Sequence, residues 1–507
     1  MPRLAPFRAE LAAAARLSAP VALVQLGMML MGVVDTVMLG HVSAGALAAG
    51  ALGHMVTITL LMLGYGVLSA LDPLVAQAYG AGDARAVGDH LQRGIAMAVA
   101  LTLPFALAAW DIRGLLRLLG QQVEIIGDAA AYAHAIVWGA LPYFLFVALR
   151  QTLQAMSVVR PAAVAIVVGN LANVVGNYSL IFGHFGSPAL GVAGSAYSTS
   201  LCRWLMFLYL LAASRRTLAP YWRGFTAEAL AARGYRLMLR IGVPIGFHMG
   251  VELLVFTTVA FLMGRMGVRE LAGHQIAINL ASLSFMVPLG VSGAAATRVG
   301  NAIGRGSMSD ARRSAAACLL LGGGVMLVFA AAFGTFPEAL ARLYTRDAGV
   351  IAMAAALLPI AAVFQVFDGL QVVGAGVLRG AADTAFPAGI ALVGFWLIGL
   401  PIGWALGFPL GLGPRGLWWG LTVGLAAVAS LFLARIGVRF RGVIAKVGAP
   451  HLPGPPLPAL HPPFLGEEGE KQEQNGKQGA MGQKTVSASS PSLPGQGGRR
   501  AGRGGRG

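Results

Sequence analysis

About twelve stretches of this chain are long and apolar enough to cross a lipid bilayer, a task that takes about 20 such residues in a helix. They fall near residues 16–39, 46–72, 91–112, 129–149, 160–183, 190–213, 240–264, 272–297, 314–336, 349–372, 385–408 and 416–437. Inside a bilayer every backbone N–H and C=O must find a partner within the chain, so such runs have to be helices. Charged residues make up only 11% of the 507, against about 25% in soluble domains. The expected fold is an all-α polytopic membrane protein.

The formal charge of +17 is not spread evenly. Arg85, Arg93, Arg150, Arg160, Arg215, Arg216, Arg223, Arg233, Arg236 and Arg240 fall in loops on one side of the membrane. Arg298, Arg305, Arg312, Arg313, Arg379, Arg435, Arg439, Arg441 and Lys446 join them. The opposite loops hold Arg113, Arg117, Arg265, Arg269, Arg342, Arg346 and Arg415. Cytoplasmic loops carry the excess of Lys and Arg, so both termini are expected in the cytoplasm. Arg3 and Arg8 precede a run that reads as a first span, not as a cleavable signal. Cys202 and Cys318 lie in apolar runs and read as packing residues.

The chain repeats itself at an offset of 224. Arg16-Leu-Ser-Ala-Pro20 matches Arg240-Ile-Gly-Val-Pro244, and Met38-Leu-Gly40 matches Leu262-Met-Gly264. Gly66-Val67, Ala70, Val75, Ala78, Gly80 and Gly82 match Gly290-Val291, Ala294, Val299, Ala302, Gly304 and Gly306. Shared apolar bias does not hold Arg, Pro and several Gly at one offset. A duplicated six-span unit is a transporter architecture. The expectation is twelve transmembrane helices in two pseudo-symmetric six-helix bundles, 1–213 and 240–447. A basic cytoplasmic linker, 214–239, joins them. From 448 to 507 Pro, Gly, Ser, Gln and Lys dominate, and a disordered tail is expected.

Three carboxylates sit inside apolar runs: Asp35, Glu252 and Asp368. A charge at the centre of a membrane helix costs about 2.5–3.5 kcal/mol on insertion scales, and such residues usually face a cavity, a partner or an ion. Gln365 and Gln371 flank Asp368 at i−3 and i+3, on one helix face. His248 stands one turn before Glu252, and His274, Gln275 and Asn279 recur at helical spacing in the next span. Asn170, Asn173 and Asn177 share one face of another span and are candidate partners for Asp35, as is Gln25. Oxygen ligands of this kind suit a hard cation; the alternative is amide bonding between helices. Asp72, before Pro73, reads as interfacial, and Arg203 as snorkelling or paired with a carboxylate. His54 and His134 read as packing or hydrogen-bonding groups. No Walker A sequence, nucleic-acid module or Cys/His metal spacing is present, so neither an ATP-driven pump nor an enzyme is expected.

Several stretches together resemble the multidrug and toxic compound extrusion (MATE) family, in its NorM-like branch. They are Val34-Asp35-Thr-Val-Met-Leu-Gly40, Pro73-Leu-Val-Ala-Gln77-Ala-Tyr-Gly80-Ala-Gly82, Gly169-Asn170-Leu-Ala-Asn173…Asn177-Tyr178, Ala189-Leu-Gly191-Val-Ala-Gly194 and Gly376-Val-Leu-Arg379-Gly380…Asp383-Thr384. The resemblance spans about residues 10–440 and implies two six-helix bundles facing a cleft. It implies export of small organic cations or amphipathic drugs from the cytoplasmic (inner) membrane in exchange for Na⁺ or H⁺, with no other cofactor. Asp35 matches the family's acidic position in the first span, and Asn173 and Asn177 its amides in the fifth. Glu252 and Asp368 match the two carboxylates of the seventh and tenth spans, expected to bind Na⁺. Phe364 stands where some NorM-like members have Tyr. The expected binding set is thus Glu252, Asp368, Asp35, Asn173, Asn177, Gln275, Asn279, Gln365 and Gln371. A monomer in contact with membrane lipid is expected, with no nucleic acid. Two other readings are a flippase for a lipid-linked precursor and a non-transporting membrane scaffold.

Overall fold

The computed structural model describes residues 4–446, apart from Leu119 and Arg223. The tail expected over 448–507, Arg3 and the Arg223 of the linker lie outside the described residues. Helices follow one another along the chain: α1 (Leu4–Gly40), α2 (Ala44–Leu68), α3 (Leu71–Gly80), α4 (Ala84–Trp110), α5 (Ile112–Leu118), α6 (Val123–Val137), α7 (Ala140–Ala155), α8 (Arg160–Phe182), α9 (Gly191–Leu218), α10 (Ala232–Met266), α11 (Val268–Gly304), α12 (Met308–Thr335), α13 (Pro337–Arg342), α14 (Ala348–Gly380), α15 (Ala385–Ala391), α16 (Leu400–Gly407) and α17 (Pro414–Arg439). A π-helical stretch, Leu392–Gly399, joins α15 to α16.

These helices make twelve spans. Ten are long and apolar enough by themselves, counting α2–α3 and α15–α16 as one each. An eleventh is broken: α6 and α7 meet at 49° across Trp138-Gly139. The twelfth is α9, 28 residues long, whose Ser, Thr, Tyr and Arg203 dilute its apolar character. It packs against α6, α7 and α8 all the same. Leu103, Leu107, Leu171, Phe261, Val328 and Leu397 stand more than half exposed on the outside of the molecule. A soluble protein avoids such a surface, and a bilayer covers it.

Two hydrophobic cores form. One gathers buried side chains from Val24 to Ile245, the other from Val251 to Ile444 together with Ala14. A third small cluster, Leu17, Val21, Val159 and Ala294, ties the halves together. The halves meet through α1 on α11 and, by the repeat, α10 on α2, with α3 also on α11. Close approach requires small residues there. A Cβ on Gly66 would collide with the backbone of Gly246, and one on Gly290 with Ala22.

The polar contacts of this seam are one-sided. Gln77 Nε2 donates to Gly380 O (3.0 Å), Thr297 Oγ1 to Gln154 O (3.2 Å) and Asn301 Nδ2 to Ala155 O (3.0 Å). Arg298 grips Glu10 through Nε and Nη2 (2.7 and 2.6 Å), and Ser314 also donates to Glu10. Among the described residues, every hydrogen bond and ion pair between the halves lies at the Arg-rich end.

Candidate functional site: two acidic sites, one in each half

In the N-terminal half α1 presents Asp35 to α8 and α9. Asn173 and Asn177 are one turn apart on α8 and so share a face. Asn177 Nδ2 (2.6 Å) and Asn173 Nδ2 (3.1 Å) both donate to Asp35 Oδ1. Thr199 Oγ1 of α9 donates to Oδ2 at 2.9 Å. Asn173 Nδ2 also reaches Thr199 Oγ1, and Asn177 Nδ2 reaches Asn173 Oδ1. Asp35, 6% exposed, thus holds three donors, and the sequence-level pairing with Asn173 and Asn177 is met. Asn170 does not join them. Its amide bonds Gly27 O on α1 and Ile166 O on its own helix, which is interhelical glue. Gln25 turns instead to Arg150, accepting at 3.5 Å. Thr199 escaped the sequence reading because a hydroxyl in the Ser-rich run of α9 carries no spacing signal.

In the C-terminal half the arrangement is reversed. Asp368 on α14 is 5% exposed, and Glu252 on α10 is part-buried. Their helices are linked one turn away from both, through Gln371 and His248. Among the described residues no hydrogen bond or ion pair reaches either carboxylate. Gln365 Nε2 donates to Ser284 Oγ of α11, and Gln371 Nε2 lies 3.2 Å from His248 Nε2 of α10. Both amide N–H₂ ends are thereby occupied, and both Oε1 atoms are buried without a donor. These two amide oxygens thus lack donors, although Trp418 Nε1, against Phe364, is itself buried without an acceptor. Buried carboxylates without a partner are costly, and a hard cation satisfies such oxygens. No three His, Cys, Asp or Glu cluster among the described residues, so amide oxygens would complete any ion shell.

Gln275 and Asn279 do not meet the carboxylates. They lie on an exposed face of α11, where Asn279 Nδ2 donates to Gln275 O at 2.9 Å. The buried face of α11 offers His274, against Trp418, and Ser284 instead. Phe364 is 2% exposed and stands edge-on to Phe256 and Trp418.

Asp72 corrects its sequence reading. It is 1% exposed, not interfacial, and sits in the seam 3.6 Å from Arg379 Nη1, with Gln151 and Gln154 donating at 3.4 and 3.5 Å. Nothing local marks this, since Arg379 comes from the other half. Arg203 finds no carboxylate; it lies over the Tyr143 ring at 4.9 Å, with Nη1 buried and unpartnered. His54 and His134 bond Tyr132 Oη and Trp110 O, as packing residues do. Cys202 and Cys318 are free and buried.

This double architecture has known relatives. The MatE family model matches residues 20–179 and again 244–405, two matches that begin 224 residues apart, as the internal repeat does. The multidrug resistance protein MdtK of Photorhabdus laumondii is 37% identical over 437 residues, covering 83% of this chain and 93% of that protein. MdtK of Yersinia enterocolitica is 36% identical over 434 residues, with the same shares covered. Among solved structures, the eukaryotic MATE transporter AtDTX14 superposes with a TM-score of 0.78 at 23% identity, over 85% of this chain and 96% of that one. An outward-facing multidrug resistance MATE family transporter also reaches 0.78, at 20% identity and the same coverage. With both halves matched and the relatives spanned almost end to end, the chain belongs to the multidrug and toxic compound extrusion (MATE) family of membrane transporters.

Proposed function

We propose that the protein is a secondary active multidrug exporter. It exchanges small organic cations and other amphipathic compounds for Na⁺ at Glu252 and Asp368, with H⁺ at Asp35 as the alternative coupling. The observation that carries this reading is two carboxylates without a counter-charge, buried Asp368 and part-buried Glu252, in a half where Gln365 and Gln371 have their N–H₂ groups engaged elsewhere. Cation and cationic cargo compete for the same oxygens, so each favours a state the other disfavours, as antiport requires. The names of the MdtK relatives support a multidrug cargo.

The protein works in the cytoplasmic membrane as a monomer, with the Arg-rich end and both termini in the cytoplasm. A cleft closed at that end then faces outward, ready to release cargo and load the ion. Transport does not need residues 448–507.

The test is efflux of a fluorescent organic cation from proteoliposomes under an imposed Na⁺ gradient or an imposed pH gradient. Export driven by Na⁺ is expected. Export that follows the pH gradient alone, at every Na⁺ concentration, would overturn the sodium assignment and move the coupling to Asp35.

A further inference from the structure

In the N-terminal half, the Arg-rich end of α4 is covered by the chain that follows α9. The backbone of Tyr221 lies so close over Gly88 that a Cβ there would collide with its carbonyl. Gln92 Oε1 accepts from Thr226 N–H at 3.2 Å, and Arg93 donates to Ala229 O and Glu228 O, both at 2.8 Å.

By the repeat, α12 and α17 are the counterparts of α4 and α9, and a groove lies between them. No described residue covers it. It has a volume of about 470 Å³, with Ala316, Leu319, Ile436 and Phe440 along it and Arg312 and Arg441 at the helix ends. At about 1.5 Å per residue, α12 runs roughly 10 Å from Arg312 to Leu319. Arg312 donates through Nε to Phe440 O (2.6 Å) and through Nη2 to Arg441 O (3.0 Å), which fixes its guanidinium at the end of α17. Those bonds leave Nη1 unengaged. Neighbouring Arg313 and Arg435 are neutralised by Asp310 and Asp383. Arg312 and Arg441 have no carboxylate partner among the described residues.

An apolar trough running from an uncompensated cationic end into the bilayer fits one chemistry. We propose that the α12–α17 groove is a binding site for an anionic phospholipid, its phosphate on Arg312 and Arg441 and an acyl chain along Leu319 and Ile436. Basic pockets between membrane helices at this level take anionic headgroups. The cationic end rejects organic cations, so this is not a second cargo site. An inorganic anion gains nothing from the apolar trough.

The test is native mass spectrometry of the full chain in mild detergent, with phosphatidylglycerol and phosphatidylcholine supplied in equal amounts. Phosphatidylglycerol should be retained about tenfold in preference, and Arg441→Gln should cut that preference about fivefold, the weight of one basic side chain near an anionic surface. Gly437→Leu fills the trough, because a Cβ at Gly437 meets nothing within 4 Å. That variant should lose phosphatidylglycerol while keeping its thermal stability, and deletion of 448–507 should change nothing. Equal retention of the two lipids, or unchanged retention in both Arg441→Gln and Gly437→Leu, would overturn the proposal. So would binding that appears only after the deletion, which would assign the groove to the tail.

Discussion

The two acidic sites are built from the same kinds of side chain to opposite ends. In the N-terminal half the amides of Asn173 and Asn177 point their N–H₂ groups at Asp35, and Thr199 adds a third donor. In the C-terminal half the amides of Gln365 and Gln371 spend their N–H₂ groups on Ser284 and His248, and the carboxylates of Glu252 and Asp368 receive none. In the first site the carboxylate itself is satisfied within the protein, although Asn177 Oδ1 is buried without a donor. The second gives its carboxylates no donor, and on the proposed reading a cation supplies the missing charge. A carboxylate in a membrane helix is therefore not evidence of an ion site until the direction of its neighbours' donors is known.

The sharpest break with this contrast would come from Asp368→Asn. It should cut Na⁺-driven efflux from proteoliposomes by roughly 50-fold, within the about 5–150-fold range of coupling between linked sites. Its unfolding temperature should hardly move. Normal export by this variant would end the contrast, because the donor-poor site would then have no role.

A second pair of variants tests stability. Asn177→Leu removes the shortest donor from buried Asp35 and should cost about 1–3 kcal/mol, the penalty of an under-satisfied buried polar group. Gln365→Leu removes one neutral hydrogen bond, to Ser284 Oγ, and leaves no carboxylate under-satisfied, so its cost should stay near the about 0.5–1.5 kcal/mol of such a bond, while the Na⁺ dependence of efflux weakens. Thermal unfolding of the purified variants measures both. Equal losses would mean that both amide sets serve structure alone.

The smallest effect is expected at the seam. Arg298→Gln breaks the clasp on Glu10, a part-exposed pair worth about 0–1 kcal/mol by the usual measure of such bridges. In a background with Cys202 and Cys318 replaced by Ala, a cysteine at buried Ala294 should then label about two- to fivefold faster, the population shift that such an energy allows. Unchanged labelling would place the opening of the cleft elsewhere.

Much of this was legible beforehand, for physical reasons. Spans are read from the length of apolar runs, because the bilayer sets it. The pairing of Asp35 with Asn173 and Asn177 follows from residues one turn apart facing one way. What stayed hidden was made by packing between distant segments. Thr199 and Ser284 are ordinary hydroxyls until another helix brings them a partner. Asp72 looked interfacial because its Arg379 lies in the other half. Asn279 had the right spacing to join the carboxylates but bonds its own helix, since spacing fixes a helical face and not what lies opposite it.

One detail of the seam bears on turnover. Gln77, Thr297 and Asn301 cross it by donating to main-chain oxygens of Gly380, Gln154 and Ala155, near the last turns of α14 and α7. Carbonyls at helix ends lack an intrahelical donor, so water serves them as readily as an amide does. If the halves part here, each fastening exchanges one partner for a water molecule at a net loss of only about 0.5–1.5 kcal/mol. The closure behaves as a wettable latch. These three fastenings would yield readily to water, which leaves the ion pairs Asp72–Arg379 and Glu10–Arg298 as the stronger ties across the seam.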